Sequence, residues 1–175
     1  KVLPGDEVSV FAMANGLDYF IVGSACDHKR IGDNDTGPNT GGMGCYHDPL
    51  WPDPELKKKI EERILKPTLK GCLAEGMPYN GFLFMGLMVD KNNDPYVVEY
   101  NVRFGDPETQ TLLPLIKGSF LKGMLSFIPE HLVENRPSCD LDLVAKASVH
   151  VVATSGGYPS LTGEPLDLGH VIEVP

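Results

Sequence analysis

The sequence has 175 residues, 42% of them hydrophobic and 22% charged, which is enough to bury the core of one domain or of one domain and part of another. Its net charge of −9 at pH 7 argues against a general nucleic-acid surface, which needs clustered Lys and Arg. An acidic site can nevertheless hold a nucleotide through a divalent cation. No apolar run approaches the ~18 residues of a membrane span. The four cysteines are scattered, which predicts reduced thiols in a cytoplasmic protein.

The first predicted elements are two strands, residues 8–13 and 18–22. The Asn15-Gly16 pair between them is a strong hairpin signal. A loop rich in Gly, Asp, Asn and Thr then runs from Asp27 to about Pro54. Compact domains rarely keep so long a loop unless it binds something, so we expect a ligand there.

A helix is predicted over residues 54–75, with Asp53 as its cap, Pro67 as a possible kink and Gly76 as its stop. Residues 81–89 and 95–102 follow as a second hairpin, because an apolar run is followed by a polar turn and then by a return strand. Residues 109–129 read as an interrupted helix. Residues 135–138 resemble a linker, and residues 147–153 read as a buried strand. The sequence opens without Met and stops on a strand-like segment, so we expect it to be part of a longer polypeptide.

The sharpest chemical feature is the run Glu99-Tyr100-Asn101-Val102-Arg103. Alternate side chains of a strand face the same way, so Glu99, Asn101 and Arg103 would share one face. A carboxylate and an amide oxygen suit a hard divalent cation, and a guanidinium beside them can stabilise a transferred phosphoryl group. The alternative is an ordinary strand with a solvated polar face.

The second feature is the long loop, which carries a Gly-rich stretch and a cationic cluster. Glycines at 37, 41, 42 and 44 permit close backbone approach, and exposed N–H groups there could hold an anion. The cluster is His28, Lys29 and Arg30. The spacing matches neither a P-loop nor GxGxxG, and a purely structural turn is the alternative.

Shortly after the Glu99–Arg103 run, Asp106 and Glu108 allow two interpretations. Either side chain could hydrogen-bond to the metal ligands and orient them, or could cap the helix that follows.

Three runs in this sequence resemble the phosphoribosylamine–glycine ligases, also called glycinamide ribonucleotide synthetases. DHKRIGDNDTGPNTGGMG (27–44) is similar to their signature loop, EYNVRFGDPETQ (99–110) to their metal-binding segment and GFLFMGLMVD (81–90) to the strand before it. Residues 155–159 resemble the opening of the family's C-terminal domain, whereas residues 161–164 depart from its pattern.

The resemblance implies an α+β chain: the C-terminal subdomain of an ATP-grasp fold, an antiparallel sheet with helices, over residues 1–134, and the beginning of a small C-terminal domain over 135–175. It implies that glycine is joined to 5-phosphoribosylamine at the expense of ATP, with Mg²⁺ or Mn²⁺. Glu99 and Asn101 carry over as metal ligands and Arg103 as the catalytic cation. Glu7, Lys29 and Arg30 are assigned to ATP. The residues assigned to the substrates are Asp27, His28, Pro38, Asn39, Thr40, Gly41 and Gly42.

The remaining expectations concern partners and alternatives. We expect a cytoplasmic monomer with small-molecule substrates and with neither nucleic acid nor membrane as partner. Another ATP-grasp carboxylate–amine ligase is one alternative. A non-catalytic metal- or nucleotide-binding fragment, if these residues stand alone, is the other.

Overall fold

The computed structural model describes residues 3–160 and 166–173, so residues 161–164 lie outside it. Its centre is a six-stranded antiparallel sheet in the order β10-β5-β2-β1-β6-β7. The strands of the described residues are β1 (Asp6–Asn15), β2 (Asp18–Asp27), β3 (Arg30–Gly32), β4 (Thr36–Asn39), β5 (Gly44–His47), β6 (Asn80–Val89), β7 (Pro95–Asn101), β8 (Ile116–Lys117), β9 (Asp142–Leu143) and β10 (Ser148–Val151). The helices are α1 (Pro54–Ile60), α2 (Lys66–Ala74), α3 (Glu108–Leu112) and α4 (Phe120–Ser126), with a π-helical turn at Glu61–Leu65 and single 3-10 turns at Asp33–Asp35, Leu113–Leu115 and Glu130–Leu132. The predicted α+β class is confirmed.

Both predicted hairpins form. Asn15 pairs with Asp18 at the end of the β1–β2 ladder, and Gly16 takes the positive φ of 63° that the tight turn requires. β1 pairs along its whole length with β6, which turns into β7. This makes β1 a central strand, and its alternate side chains point into two different layers.

One face of the sheet packs against the predicted long helix. Asp53 caps that helix, because its Oδ1 accepts hydrogen bonds from the Glu55 and Leu56 amides at 2.9 Å each. Pro67 does not split it; the turn before Pro67 is π-helical and the helical path continues to Ala74. The core on this face contains Val8, Val10, Ala12, Ala14, Leu56, Ile60, Ile64, Leu65, Leu69, Leu83, Met85, Leu87 and Val89.

The opposite face is half covered by α3, α4 and an aromatic cluster. The Phe104 ring lies 5.4 Å from Phe11 and 4.4 Å from Phe82, while Phe84 lies 4.8 Å from Phe11. These rings cover the part of the face near the middle of β1. The part toward the Asp6 end of β1 carries polar side chains instead, and is called the site face below.

The helix predicted over residues 109–129 is interrupted at Pro114 and Gly118, as expected, and the structure adds a 3-10 turn and the short strand β8 between α3 and α4. The strand at 147–153 forms as β10 but lies at the edge of the sheet, where Val149 and Val151 are 73% and 76% exposed. The domain boundary at 134/135 stays a prediction, and β10 pairs with β5 across it.

No helix in the described ranges is both long enough and apolar enough to cross a membrane. All four cysteines, each within those ranges, are free.

Candidate active site

The predicted metal ligands Glu99 and Asn101 do share one face of β7. Glu99 lies opposite Gly86 and Asn101 opposite Phe84, which puts both side chains on the site face. The Asn101 Nδ2 donates a hydrogen bond to Glu99 Oε1 at 2.9 Å. That bond aligns the two side chains and leaves the Asn101 amide oxygen available. One carboxylate and one amide oxygen are donors that Mg²⁺ accepts, so the pair fits such an ion.

Gly86 provides the room in which Glu99 lies. A Cβ atom at position 86 would come within 3.0 Å of Glu99 Cγ, which is tighter than ordinary carbon–carbon contact. The Glu99 side chain therefore leans across β6 toward β1. Any larger residue at 86 would have to displace it.

Arg103 does not continue the alternation. β7 ends at Asn101, and residues 102 and 103 bend away from the ladder. The Arg103 Nη1 donates to the Phe104 carbonyl at 2.8 Å, and the side chain is exposed. The predicted sharing of one strand face thus holds for Glu99 and Asn101, while Arg103 occupies the connecting segment beyond them.

A cleft of about 940 Å³ gathers six of the residues predicted for ATP and substrates. It runs along the Asp6 end of β1 and the end of β2. Its lining includes Glu7, Asp27, His28, Lys29, Arg30 and Asn39, together with others such as Asn34, Asp48 and Trp51. Glu99, Asn101 and Arg103, as well as Pro38, Thr40, Gly41 and Gly42, are not part of this lining.

Lys29 lines the cleft, and its charge also interacts with that of Glu99 on the site face. Its ammonium donates a hydrogen bond to Glu7 and lies 3.9 Å from Asp27 Oδ2. Partial burial lowers the pKa of Lys29, but the bond to Glu7 and the charges of Asp27, Glu7 and Glu99 outweigh it, so this pKa lies above its usual value. Lys29 therefore stays positively charged at neutral pH, among several carboxylates.

The Asp27 side chain is only 8% exposed, so its carboxylate is largely withdrawn from water. Burial raises the pKa of Asp27; Lys29 opposes this shift, whereas Glu108 and Glu7 add to it. The charged form of Asp27 is therefore held in the folded protein at a cost in stability.

The Gly-rich turn at residues 40–43 has its backbone N–H groups already occupied. Thr40 N donates to the Lys29 carbonyl at 2.7 Å and Met43 N to the His28 carbonyl at 2.7 Å. Gly41 N donates to Tyr158 Oη at 3.1 Å and Gly42 N to Thr40 Oγ1 at 3.0 Å. The expected anion-binding N–H groups are therefore bonded within the protein at this turn.

The rest of the loop forms a small hairpin. β3 pairs with β4 around the 3-10 turn, where Asn34 and Asp35 adopt φ of 55° and 58°. Arg30 Nη1 donates to the Gly37 carbonyl at 2.6 Å, which bridges the hairpin. Pro38 and Asn39 lie in β4, the former half-buried and the latter exposed. His28 is exposed, with its ring 5.8 Å from that of Tyr46.

The two signature runs touch each other, which their separation in sequence did not reveal. A Cβ at Gly42, whose φ is 121°, would lie 2.6 Å from Pro107 Cδ. Only glycine fits so close an approach, so the Gly-rich turn packs directly on the Asp106-Pro107 corner.

Two residues at the site were missed. Ser9 accompanies Glu7 on the site face of β1, and a polar residue within the apolar stretch 8–14 of that strand was the available signal. Tyr158 reaches the Gly41 amide from 117 residues away, and nothing local in the sequence indicates it.

The fold and this site place the chain in the ATP-grasp class. The crystal structure of phosphoribosylamine–glycine ligase from Thermotoga maritima superposes with a TM-score of 0.75 and 38% identity over 91% of this chain and 38% of that one. An L-amino acid ligase from Bacillus licheniformis shares the fold, with a TM-score of 0.56 and 15% identity over 89% of this chain and 37% of that one.

The particular family is identified by the match of this chain to a family sequence model. The model described as phosphoribosylglycinamide synthetase, ATP-grasp (A) domain, matches residues 1–109, so the chain belongs to the phosphoribosylglycinamide synthetase family. A bifunctional purine biosynthetic protein of Pichia angusta is 49% identical over 91% of this chain and 20% of its own length. A phosphoribosylamine–glycine ligase of Chlorobaculum tepidum is 44% identical over 98% of this chain and 38% of its own. The predicted resemblance is confirmed, and the chain spans 20% to 38% of the length of these two relatives.

Proposed function

We propose that the protein carrying this chain joins glycine to 5-phosphoribosylamine, using ATP and Mg²⁺ or Mn²⁺, to give glycinamide ribonucleotide, ADP and phosphate. The observation that carries the proposal is the hydrogen-bonded Glu99–Asn101 pair on one face of β7, with Glu99 over Gly86, in a chain of this family. Relatives that bear the name of this ligase are similar along almost the whole chain.

In the proposed reaction, a carboxylate oxygen of glycine attacks the γ-phosphorus of ATP and the bond to ADP breaks. The amine nitrogen of phosphoribosylamine then attacks the carbonyl carbon of the glycyl phosphate. Phosphate leaves with the electron pair of the broken C–O bond, and the amine gives up a proton to water. No protein nucleophile takes part, so the site must act by positioning and by electrostatics.

Each part of the site has a role in this scheme. Glu99 and Asn101 would hold the divalent cation, which when bound neutralises charge on the phosphates. Arg103 and Lys29 would place positive charge beside the transferred phosphoryl group, Lys29 with Arg30 and Glu7 as the residues for ATP. Asp27, His28 and the 38–42 segment would form the side that accepts glycine and phosphoribosylamine. The Gly-rich turn would reach the substrates through side chains and carbonyls, because its N–H groups are engaged.

The test is phosphate release by the full-length protein. It should depend on glycine, on phosphoribosylamine and on a divalent cation. Glu99→Ala should reduce it by at least ~100-fold, since a direct ligand is lost. Full activity of that variant would refute the metal assignment, and glycine-independent release in the wild type would refute the reaction.

The alternative ligase shares the fold and is distinguished by its substrates. A screen of amines and carboxylates with the full-length protein would identify it, because the proposed enzyme should prefer glycine and phosphoribosylamine strongly. For the 175 residues alone we propose no ligase activity. Calorimetry that showed micromolar ATP binding by this chain would contradict that view. Cytoplasmic location and a monomeric state belong to the same proposal, and light scattering tests the latter.

A further inference from the structure

We propose that Glu108, through its hydrogen bond with Ser9, is a positioning residue that fixes the path of residues 102–107 across the site face and thereby places Arg103. The catalytic part of this inference rests on the proposed function. Its structural part does not, and the two are tested separately below.

Glu108 is an ionisable side chain in an unusual place. It is only 4% exposed, as is Ser9. Ser9 Oγ donates to Glu108 Oε1 at 2.9 Å, joining residues 99 apart in sequence. Buried carboxylates are costly unless hydrogen-bonded, and a bond to a charged acceptor is among the stronger ones in proteins. The hydrogen bond with Ser9 is therefore expected to hold the Glu108 side chain on β1.

Helix capping does not explain this carboxylate. The residue before α3, Pro107, makes no side-chain capping bond, and Glu108 turns away from the helix toward β1. Asp106 does not cap the backbone either, since its Oδ1 accepts from Gln110 Nε2 at 2.6 Å. Glu108 therefore follows neither interpretation left open by the sequence, since its partner is Ser9 on β1 and not a proposed metal ligand.

The cross-strand register shows what the attachment spans. Ser9 lies opposite Gly86, and Gly86 lies opposite Glu99, so the three form a row on the site face. Neighbouring strands are about 4.8 Å apart, which places β1 about 10 Å from β7. The chain leaves β7 at Asn101 and is fixed on β1 at Glu108. Residues 102–107 therefore form a strap that runs from β7 to β1 beside this row, over Phe11 and Phe82, and reaches the row at Ser9.

The strap has two anchors on one face of β1. The Phe104 ring stacks on Phe11, with the ring centroids 5.4 Å apart. Glu108 binds Ser9, which is the next residue on the same face of β1. Arg103 lies between Asn101 and the aromatic anchor. If the polar anchor is lost, the strap keeps the Phe104 stack and the contact of Pro107 with Gly42 but loses its attachment to Ser9, which leaves the guanidinium less firmly placed.

Gly105 adds an independent observation. A Cβ at position 105 would lie 2.2 Å from Glu108 Oε2, so the carboxylate rests directly on the strap backbone. The strap thus has no side chain where Glu108 folds back against it. Gly105→Ala should push the carboxylate away from this place.

The experiment compares Ser9→Ala, Glu108→Gln and Gly105→Ala with Ser126→Ala in the full-length protein. Ser126 is a matched control because its half-buried hydroxyl also donates a hydrogen bond, to the Gly123 carbonyl at 2.6 Å within α4, and that bond involves no residue of the strap. The first measurement needs no activity: hydrogen–deuterium exchange of residues 102–106 and of Thr109, whose amide donates to the Gly105 carbonyl at 3.1 Å, should become at least ~10-fold faster in the three test variants and not in the control. Unchanged exchange in all three would refute the anchor.

The second measurement is kinetic. We expect kcat to fall about 10- to 100-fold, the usual cost of losing a supporting residue, with KM for ATP and the Mn²⁺ affinity within ~3-fold of wild type. Combined with Arg103→Ala, Glu108→Gln should cost less than ~3-fold more, because both changes remove the same interaction. Full additivity, or activity losses that follow the folded fraction as in Ser126→Ala, would overturn the positioning role. A wild type that ligates nothing would defeat the proposed function alone, and the exchange result would still decide the anchor.

Discussion

Gly86→Ala is the sharpest test of the proposed metal ligands Glu99 and Asn101, because it keeps both side chains and changes only the space beside Glu99. The new Cβ would lie 3.0 Å from Glu99 Cγ, whereas carbon atoms pack at about 3.5–4.0 Å. Glu99 must therefore move by a few tenths of an ångström. Metal sites tolerate about 0.2 Å in ligand distance, so the displaced carboxylate cannot keep its bond without distortion of the site.

The expected loss in Mn²⁺ affinity is about 10- to 100-fold, or about 1.4–2.7 kcal/mol. Folding should respond differently. Gly86 does not need a positive φ, so alanine fits its backbone and would stabilise by about 0.4–1 kcal/mol through the unfolded chain. The contact with Glu99 works against that gain, and the melting temperature should change little. Metal affinity and stability are thus predicted to separate.

Electron paramagnetic resonance titration of Mn²⁺ with the full-length protein, in the presence of ADP, measures the affinity, and calorimetry measures the melting temperature. Gly71→Ala is the control: its Cβ would meet nothing within 4 Å, and alanine favours a helix. The control should raise the melting temperature and leave Mn²⁺ binding unchanged. Mn²⁺ affinity within ~2-fold of wild type in Gly86→Ala would show that Glu99 is not a ligand from this position.

Two further predictions concern titratable side chains. Because the pKa of Asp27 in the folded state lies above its ordinary value of 3.8, the charged form costs stability at pH 7 and that cost disappears as the pH falls through the folded pKa; Asp27→Asn should therefore melt higher than wild type at pH 7, by a margin that shrinks toward pH 4. A lower melting temperature for Asp27→Asn at pH 7 would contradict the sign. Burial raises the pKa of Cys45 to about 12 and also raises that of Cys26, whereas Cys139 is exposed, so iodoacetamide at pH 8 should modify Cys139 first and Cys45 last. Peptide mass spectrometry would follow the labelling, and equally fast modification of Cys45 in the native protein would disprove its protection.

The sequence by itself determined the features that depend on near neighbours. Asn15-Gly16 specified the first hairpin, Asp53 the helix start, and the alternation of Glu99 with Asn101 their common face. Each depends on turn chemistry or on a period of two residues, which act within a few positions. The family resemblance was equally readable, since long runs of residues carry it.

Only the tertiary structure decided how these pieces combine. It ended β7 before Arg103, put β10 at a sheet edge and bonded the turn at 40–43 to Lys29, His28 and Tyr158. It also brought Glu108 into a hydrogen bond with Ser9 and placed the Glu99 side chain in the space beside Gly86. These contacts join residues that are distant in the chain, and the pairing order of the sheet and the packing on its two faces decide which of them meet. Local propensities carry no record of that choice.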